Sequence, residues 1–171
     1  SVDGARVGRR EDLARAVAMF DGEELKEIYR ELGKVYGEAL AQPYDAADAW
    51  RKLLKVGPDF EAMDALEAIY RGQEQWPEVI DVKMQRAAAR GIGEREAPEA
   101  QNAQKIEEYR QVAELWRETV QEPDNATSAW QKILEIEPAH DEAFAELEKL
   151  HTAAGRWEPL IELYLARLDT R

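Results

Sequence analysis

The chain has 171 residues, of which 44% are hydrophobic and 35% charged, and its formal net charge is −13 at pH 7. A surface this acidic repels nucleic-acid phosphates and anionic membranes, so the composition argues against both and favours basic or mixed-charge proteins as partners. An alternative explanation of the charge is that it keeps an extended molecule soluble. The chain lacks cysteine, which excludes disulfides, catalytic thiols and thiolate metal sites. No apolar run approaches the ~20 residues of a membrane span, so we expect no direct membrane insertion.

The residue types predict an all-α fold. Alanine, glutamate, leucine, lysine and arginine dominate and are good helix formers, whereas strand-like runs of β-branched and aromatic residues are missing. Residues 1–22 are predicted to form an N-terminal tail, disordered over residues 1–8, and an extra helix over residues 11–20. Because the chain begins at Ser1 without an initiator methionine or an apolar signal core, we expect a fragment or a mature chain whose leader has been removed.

Four helices are predicted in residues 23–90. The first covers residues 23–42, where apolar side chains recur at spacings of three and four. We expect Pro43 to end this helix, because proline cannot donate a backbone hydrogen bond and restricts the residue before it. The second helix covers residues 46–56 and stops at Gly57-Pro58, and the third and fourth cover residues 61–71 and 76–89.

Residues 91–97 are predicted to be a connecting loop. Gly91 and Gly93 lie there among charged residues, and Pro98 follows. Two interpretations stay open. We prefer a short ordered connection within one continuous array, and the alternative is a flexible joint between two lobes.

Four further helices are predicted in residues 98–171. They cover residues 98–121, 125–136, 141–153 and 157–168, and Asp124 or Asn125 and Asp141 are the expected N-caps. The last helix has no polar helix behind it, although its apolar residues include Leu160, Ile161, Leu163, Tyr164 and Leu168. Terminal repeats need a polar outer face, so we expect that the native protein continues or that this helix docks on another chain, for example by self-association.

The chain repeats itself. Tyr29–Pro58 aligns with Tyr109–Pro138 without a gap, and ten positions are identical to their counterparts: Tyr29, Arg30, Glu38, Pro43, Ala46, Ala49, Trp50, Lys52, Leu54 and Pro58. After the proline the second copy has one inserted residue, and the match then continues in a second alignment, which pairs Leu66 with Leu147, Trp76 with Trp157, Ile80 with Ile161 and Arg86 with Arg167. The sequence therefore contains two related units of about 80 residues.

Each unit resembles tetratricopeptide repeats, in which an aromatic residue precedes Leu-Gly and Tyr, followed by Ala, a second aromatic and a closing Pro. The matching residues are Tyr29, Leu32, Gly33, Tyr36, Ala46, Trp50 and Pro58, and then Tyr109, Val112, Ala113, Trp116, Ala126, Trp130 and Pro138. Weaker matches run from Met63 to Tyr70 and from Phe144 to His151. The resemblance covers residues 23–171 and implies a right-handed α-solenoid of antiparallel helix pairs, with about four repeat-like units. It implies core packing for the aromatic residues, with a ligand-binding box as the alternative.

No residue pattern predicts catalysis, a metal site or a cofactor. The only histidines, His140 and His151, have no zinc-ligand spacing and are expected to be solvated or packed. Adjacent carboxylates such as Glu107 and Glu108 are expected to be solvated on an exposed helix face. We therefore predict that the protein is not an enzyme.

In tetratricopeptide proteins the first helix of each pair lines a concave groove, and the resemblance implies a partner-binding groove here. Its predicted residues in the first unit are Glu27, Arg30, Lys34, Glu38, Asp64 and Arg71, and in the second Glu107, Arg110, Glu114, Arg117 and Lys149. The groove lacks the asparagine of the clamp that grips a partner's C-terminal carboxylate in some relatives, so that ligand class is disfavoured. The alternative is that these charges pair with one another along the helices.

The predicted function is a non-catalytic scaffold or adaptor that binds a partner protein or peptide in this mixed-charge groove. The alternative is a structural spacer or oligomerisation segment of a longer helical-repeat protein. The identity of the partner and the compartment stay open, with the cytoplasm slightly favoured.

Overall fold

The computed structural model describes residues 21–91 and 97–170, and within these ranges all regular secondary structure is helical. The all-α prediction is confirmed. The predicted tail and extra helix of residues 1–20, and residues 92–96 of the predicted loop, lie outside the described residues. The helices are α1 (Gly22–Lys34), α2 (Pro43–Val56), α3 (Phe60–Gly72), α4 (Trp76–Ala89), α5 (Pro98–Glu114), α6 (Thr127–Ile136), α7 (Asp141–Ala153) and α8 (Trp157–Asp169).

The helix bounds agree with the sequence-based ones most closely for the second helix pair of each sequence repeat. The bounds of α4 and α7 are the predicted ones, and those of α3 and α8 differ by one residue. The prediction that Pro43 ends the first helix was wrong, because Pro43 is the first residue of α2. Proline is favourable there, since the first backbone N–H groups of a helix have no acceptor within the helix. The preceding helix ends earlier, at Ala39.

The predicted N-caps of the second unit were also wrong. His140, and not Asp141, caps α7, because its Nδ1 accepts a hydrogen bond from the backbone N–H of Ala143 at 3.2 Å. Asp124 and Asn125 lie in a 3-10 turn, Pro123–Ala126, which leads directly into α6 without a side-chain cap. Helical dihedral angles already begin in that turn, so α6 needs no separate N-cap residue.

An unusual helix ending occurs twice, at corresponding places in the two units. α1 and α5 each continue into a π-helical turn, Val35–Ala39 and Leu115–Thr119. Beyond each turn lies a residue with positive φ, Ala41 at 51° and Gln121 at 63°. The following N–H groups, of Gln42 and Glu122, donate to the carbonyls of Tyr36 and Trp116 at 2.7 and 2.8 Å. The sequence repeat is therefore accompanied by a repeated backbone conformation.

A second type of helix ending also occurs twice, at positions that are matched in the second alignment. After α3 and α7 the chain turns through a residue of positive φ, Glu74 at 55° and Gly155 at 65°. In each turn the next backbone N–H, of Gln75 or Arg156, donates at 2.9 Å to the carbonyl of Tyr70 or His151. The inserted residue of the second unit thus leaves the turn geometry unchanged.

By packing, the chain divides into two compact units, with the division between Ile69 and Tyr70. This division differs from that of the sequence repeat, because α4 belongs to the first repeat and to the second compact unit. In the first unit α1 packs against α2. Its buried side chains include Tyr29, Ala46, Ala49, Trp50 and Leu53. In the second unit each helix from α4 to α8 packs against the next. The core there joins Ile80, Ala87, Tyr109, Val112, Ala129, Trp130, Ile133, Leu147, Leu160 and Leu163, among others. The aromatic residues Trp50 and Trp130 are core residues in their respective units.

Candidate interaction surfaces

Arg30 on α1 lies among three carboxylates. Its guanidinium contacts Glu27 on the same helix at 2.6 Å, Asp59 at 2.5 Å and Glu61 at 2.8 Å. Burial lowers the pKa of Arg30, but the charge of Asp59 and the three hydrogen bonds outweigh it and raise the pKa above its usual value. Lys34 adds a second cation, 3.3 Å from Glu61. We call these five side chains the Arg30 cluster.

The Arg30 cluster also fixes the start of α3. Asp59 accepts a hydrogen bond from the backbone N–H of Ala62 at 2.9 Å through one carboxylate oxygen, while the other oxygen receives Arg30. The same carboxylate therefore satisfies a free first-turn amide and holds the guanidinium. Since Arg30 is on α1, this contact ties the first helix of one pair to the first helix of the next.

Arg110 on α5, the counterpart of Arg30, has an equivalent arrangement. It contacts Glu107 at 3.3 Å and Glu114 at 2.8 Å on its own helix, and Glu142 on α7 at 3.8 Å. The pKa of Arg110 is raised, chiefly by the hydrogen bond with Glu107 and the charge of Glu114. The pKa of Glu107 is lowered, first by the hydrogen bond from Gln111 and then, against the effect of burial, by Arg110. We call Arg110 with its three carboxylates the Arg110 cluster.

The remaining predicted groove residues occupy the same helices outside these clusters. Arg117 pairs with Glu118 at 2.9 Å and lies 3.8 Å from Glu146, which also pairs with the exposed Lys149 at 2.7 Å. Arg71 lies over the ring of Trp76, 5.9 Å from its centroid. Glu38 and Asp64 are exposed on the π-helical turn after α1 and on α3.

Five cations of the predicted groove thus pair with nearby carboxylates: Arg30, Lys34, Arg110, Arg117 and Lys149. The spacing along the sequence predicts only the pairs within one helix, whereas Asp59 enters through a different helix and was missed. Each cluster gathers three carboxylates around one arginine, so its net charge stays negative. Glu27 and Glu107 are the most exposed of these carboxylates, with 63% and 53% of the side chain accessible. These two carboxylates are therefore the groups best placed to meet a cation from outside.

A buried ionic cluster lies between α4 and α5. Glu108 receives Arg86 at 2.6 Å and Lys83 at 3.2 Å, and Lys83 also donates to Gln111 at 2.8 Å. Lys83, Arg86 and Glu108 are 3%, 7% and 8% exposed. The expectation that Glu108 is solvated was wrong. Its counterpart in the first unit is Ile28, so a comparison of the two units would have indicated an inward-facing position.

His151, one of the two histidines that were expected to be solvated or packed, is buried, with 3% of its surface exposed. Its Nδ1 has no hydrogen-bond partner among the described residues. Burial lowers the pKa of His151, the charge of Arg156 lowers it further, and Asp124 opposes them. The side chain lines a cleft of about 340 Å³ between α6, α7 and α8, together with Leu134, Glu135, Leu147 and Leu163.

α8 carries the largest apolar exposure among the described residues. Trp157, Ile161, Leu165 and Leu168 are between 57% and 68% exposed, and Tyr164 is 41% exposed. The opposite side of the helix packs on α7 through Leu160 and Leu163, which are buried. An apolar stripe of this kind on a helix in water indicates a contact surface.

Residues 21–91 and 97–170 hold no group of three histidine, aspartate or glutamate side chains that could bind a metal ion. No helix in these ranges is long and apolar enough to cross a lipid bilayer. Comparison of the chain with models of known families found no match, and comparison with curated proteins found no similar sequence.

Proposed function

We propose that the protein is a non-catalytic helical-repeat scaffold, with helix pairs stacked as in tetratricopeptide proteins into a right-handed solenoid of about four units. The paired helix endings at aligned positions of the two units support this proposal, because they give each unit two helix pairs with the same local turns. The buried Trp50 and Trp130 support it further, since they occupy the position of the second aromatic in the tetratricopeptide pattern.

The proposed activity is the binding of a basic segment of a partner protein by the first-helix face. The observation that carries this proposal is the excess of carboxylates around Arg30 and Arg110. Each arginine is held by two or more carboxylates, which makes it a fixed part of the surface and not a free binding group. A partner with lysine or arginine side chains would meet the outward carboxylates and complement the potential of the cluster.

A direct test neutralises those outward carboxylates without removing the arginines. The variant Glu27→Gln/Glu107→Gln leaves Asp59, Glu61, Glu114 and Glu142 to hold Arg30 and Arg110. A matched control is Glu78→Gln/Glu158→Gln, which removes the same charge from exposed positions in the first turns of α4 and α8. Parent, variant and control are used to capture proteins from a lysate, and captured proteins are identified by mass spectrometry.

We expect a partner that is held by the parent and the control and lost with the Glu27→Gln/Glu107→Gln variant. Its binding should also weaken as salt is raised, because exposed charges are screened over about 10 Å at 0.1 M ionic strength. Equal capture by all three proteins, or capture by none, would contradict a role of the first-helix face in binding.

The alternative proposal, a spacer or oligomerisation segment, is favoured by a different observation. The exposed apolar stripe of α8 is not part of the proposed binding face, which consists of charged side chains on the first helices. It requires a contact of its own, which the internal repeat helps to identify.

A further inference from the structure

The exposed stripe of α8 has a buried counterpart on α4, which lies in the same compact unit and in the preceding sequence repeat. In the second alignment, which pairs Trp76 with Trp157, α8 corresponds to α4, and the two helices hold matching positions after matching turns. Ile80, Lys83 and Ala87 on α4 are 5%, 3% and 0% exposed, whereas their counterparts Ile161, Tyr164 and Leu168 are 57%, 41% and 68% exposed. The difference arises because α5 packs against α4. The stripe of α8 is thus equivalent to the surface of α4 that is covered by α5, the first helix of the next sequence repeat.

The other half of that interface also has a counterpart. In the first alignment, which pairs Tyr29 with Tyr109, α5 corresponds to α1. On α5, Val112 is 1% exposed, and Leu115 beyond it packs against the core of the second unit. Their counterparts on the first helix and its π-helical turn are less covered, since Leu32 is half-buried and Val35 is 48% exposed. Both partners of the α4–α5 interface therefore recur, on α8 and α1, with less of their surface covered.

The residues that differ between the two sets change together. In the α4–α5 interface Lys83 is paired with Glu108 in a buried setting. On α8 the lysine is replaced by Tyr164, and on α1 the glutamate is replaced by Ile28. A buried lysine without its carboxylate, or the reverse, would be costly, whereas replacement of both by uncharged groups removes the cost. Tyr164 also donates a hydrogen bond to Glu148, and its ring centroid lies 5.9 Å from that of Phe144, both on α7, so that it presents no unpaired charge to a neighbouring helix. The two changes match one another if α8 and α1 form a common interface.

At two further positions of the α4–α5 interface the counterparts on α1 and α8 are also uncharged. Lys105 on α5 corresponds to Leu25 on α1, and Met84 on α4 corresponds to Leu165 on α8. Arg167, the counterpart of Arg86, has contacts within its own chain, because it pairs with Asp141 and lies 5.0 Å from the ring centroid of Phe144 on α7. The surfaces of α8 and α1 are thus more apolar than those of α4 and α5.

We propose that the stripe of α8 binds α1 of a second copy of this chain, in the way that α4 binds α5. Such a contact joins two different surfaces, so each copy keeps one free α1 and one free α8. The chain then associates head to tail, into open-ended assemblies or closed rings. This contact uses Leu25, Ile28, Leu32 and Val35 together with Ile161, Tyr164, Leu165 and Leu168, and none of the residues proposed for partner binding.

The test transfers the Lys83–Glu108 pair to the proposed interface. The variants are Tyr164→Lys, Ile28→Glu and the double variant Ile28→Glu/Tyr164→Lys, each in the full 171-residue chain. Sedimentation velocity over a range of concentrations measures the association, and circular dichroism checks that each variant is folded. Tyr44→Glu is a control, because Tyr44 is 72% exposed on α2 and lies outside both surfaces.

We expect the parent to associate beyond a dimer as concentration rises, and the Tyr44→Glu control to do the same. Each single charge should weaken association by on the order of a hundredfold, because it would be buried without a partner. The double variant should recover association, and so should an equimolar mixture of the two single variants, since every α8 surface then finds an α1 surface of matching chemistry.

Several outcomes would overturn the proposal. One is a parent that stays monomeric at roughly 200 μM, far above the concentrations at which interfaces of standard size form. Another is a symmetric α8–α8 dimer, in which Tyr164→Lys abolishes association, Ile28→Glu leaves it intact and the mixture does not restore it. If Ile28→Glu does not fold, Val35→Glu takes its place on the α1 surface, because Val35 is 48% exposed. It should weaken association as Tyr164→Lys does, and an unchanged association would overturn the proposal.

Discussion

The indole ring of Trp50 lies directly against Gly33, so that a β-carbon added at Gly33 would be 2.4 Å from Trp50 Cε2. Gly33→Ala should therefore displace the ring and lower the free energy of unfolding by roughly 1–3 kcal/mol, as other overpacked cores do. Urea denaturation measures this change.

Gly37→Ala serves as the control for that substitution. A β-carbon at Gly37 would lie 3.6 Å from the Ala46 β-carbon, which is an ordinary contact. We expect this variant to be neutral or more stable by about 0.5–1 kcal/mol, because alanine is the better helix former. Equal losses at the two positions would show that the contact with Trp50 is not the cause.

Glu108 is predicted to be the most sensitive carboxylate of the second unit. Glu108→Gln keeps the size of the side chain but leaves Lys83 and Arg86 without the negative charge that they share. We expect the free energy of unfolding to fall by about 3–5 kcal/mol. Glu107→Gln, one residue away and exposed, should change it by no more than about 0.5 kcal/mol. Similar values for the two variants would contradict the structural role of the buried cluster.

Ala41 and Gln121 are predicted to be positions where glycine stabilises the chain. Both have positive φ, which is unfavourable for residues with a β-carbon. Ala41→Gly and Gln121→Gly should each raise the free energy of unfolding by on the order of 0.5 kcal/mol. Ala88→Gly is the control, since Ala88 is exposed within α4 and the change there should cost about 1 kcal/mol. A loss at residues 41 and 121 would contradict the left-handed turns.

His151 is predicted to make stability depend on pH. Because its folded pKa is lowered by burial and by Arg156, the unfolded chain binds the proton more tightly. Its contribution should be complete above the ordinary histidine pKa of about 6.5 and should be lost as the pH falls from there towards the folded pKa. The measurement is the free energy of unfolding across this range, for the parent and for His151→Tyr, which copies Tyr70 of the first sequence repeat.

The histidine variant should show a flatter pH profile than the parent. His140 is present in both proteins, so the effect of its own N-cap bond cancels in the comparison. Identical profiles would mean that His151 does not govern the pH dependence.

Several features of the fold could be predicted because they depend on short stretches of chain. The helices at residues 76–89 and 141–153 follow from amphipathic periodicity and nearby turns, and the structure has these bounds. The residues on the first-helix face, such as Arg30 and Arg110, follow from the alignment of the two units. The proposed groove itself stays a prediction.

The errors at Pro43 and His140 occurred where the local backbone has two conformations that residue type and spacing do not distinguish. Pro43 is compatible with the end of one helix or the start of the next, and the π-helical turn before it decided between them. His140 was not considered as an N-cap, because histidine caps a helix only when its Nδ1 is neutral and turned towards the first free amides.

The sequence by itself determined that the chain is helical, where most helices lie and which positions recur in the two units. These features follow from spacing along the chain and from the dihedral angles that each residue type allows. Only the tertiary structure decided that Asp59 holds Arg30, that Glu108 is buried between Lys83 and Arg86, and which apolar residues of α8 are buried and which are exposed. The reason is that the free energy of a charge or an apolar side chain depends on its neighbours in space, and periodicity along one helix does not specify which helix supplies them.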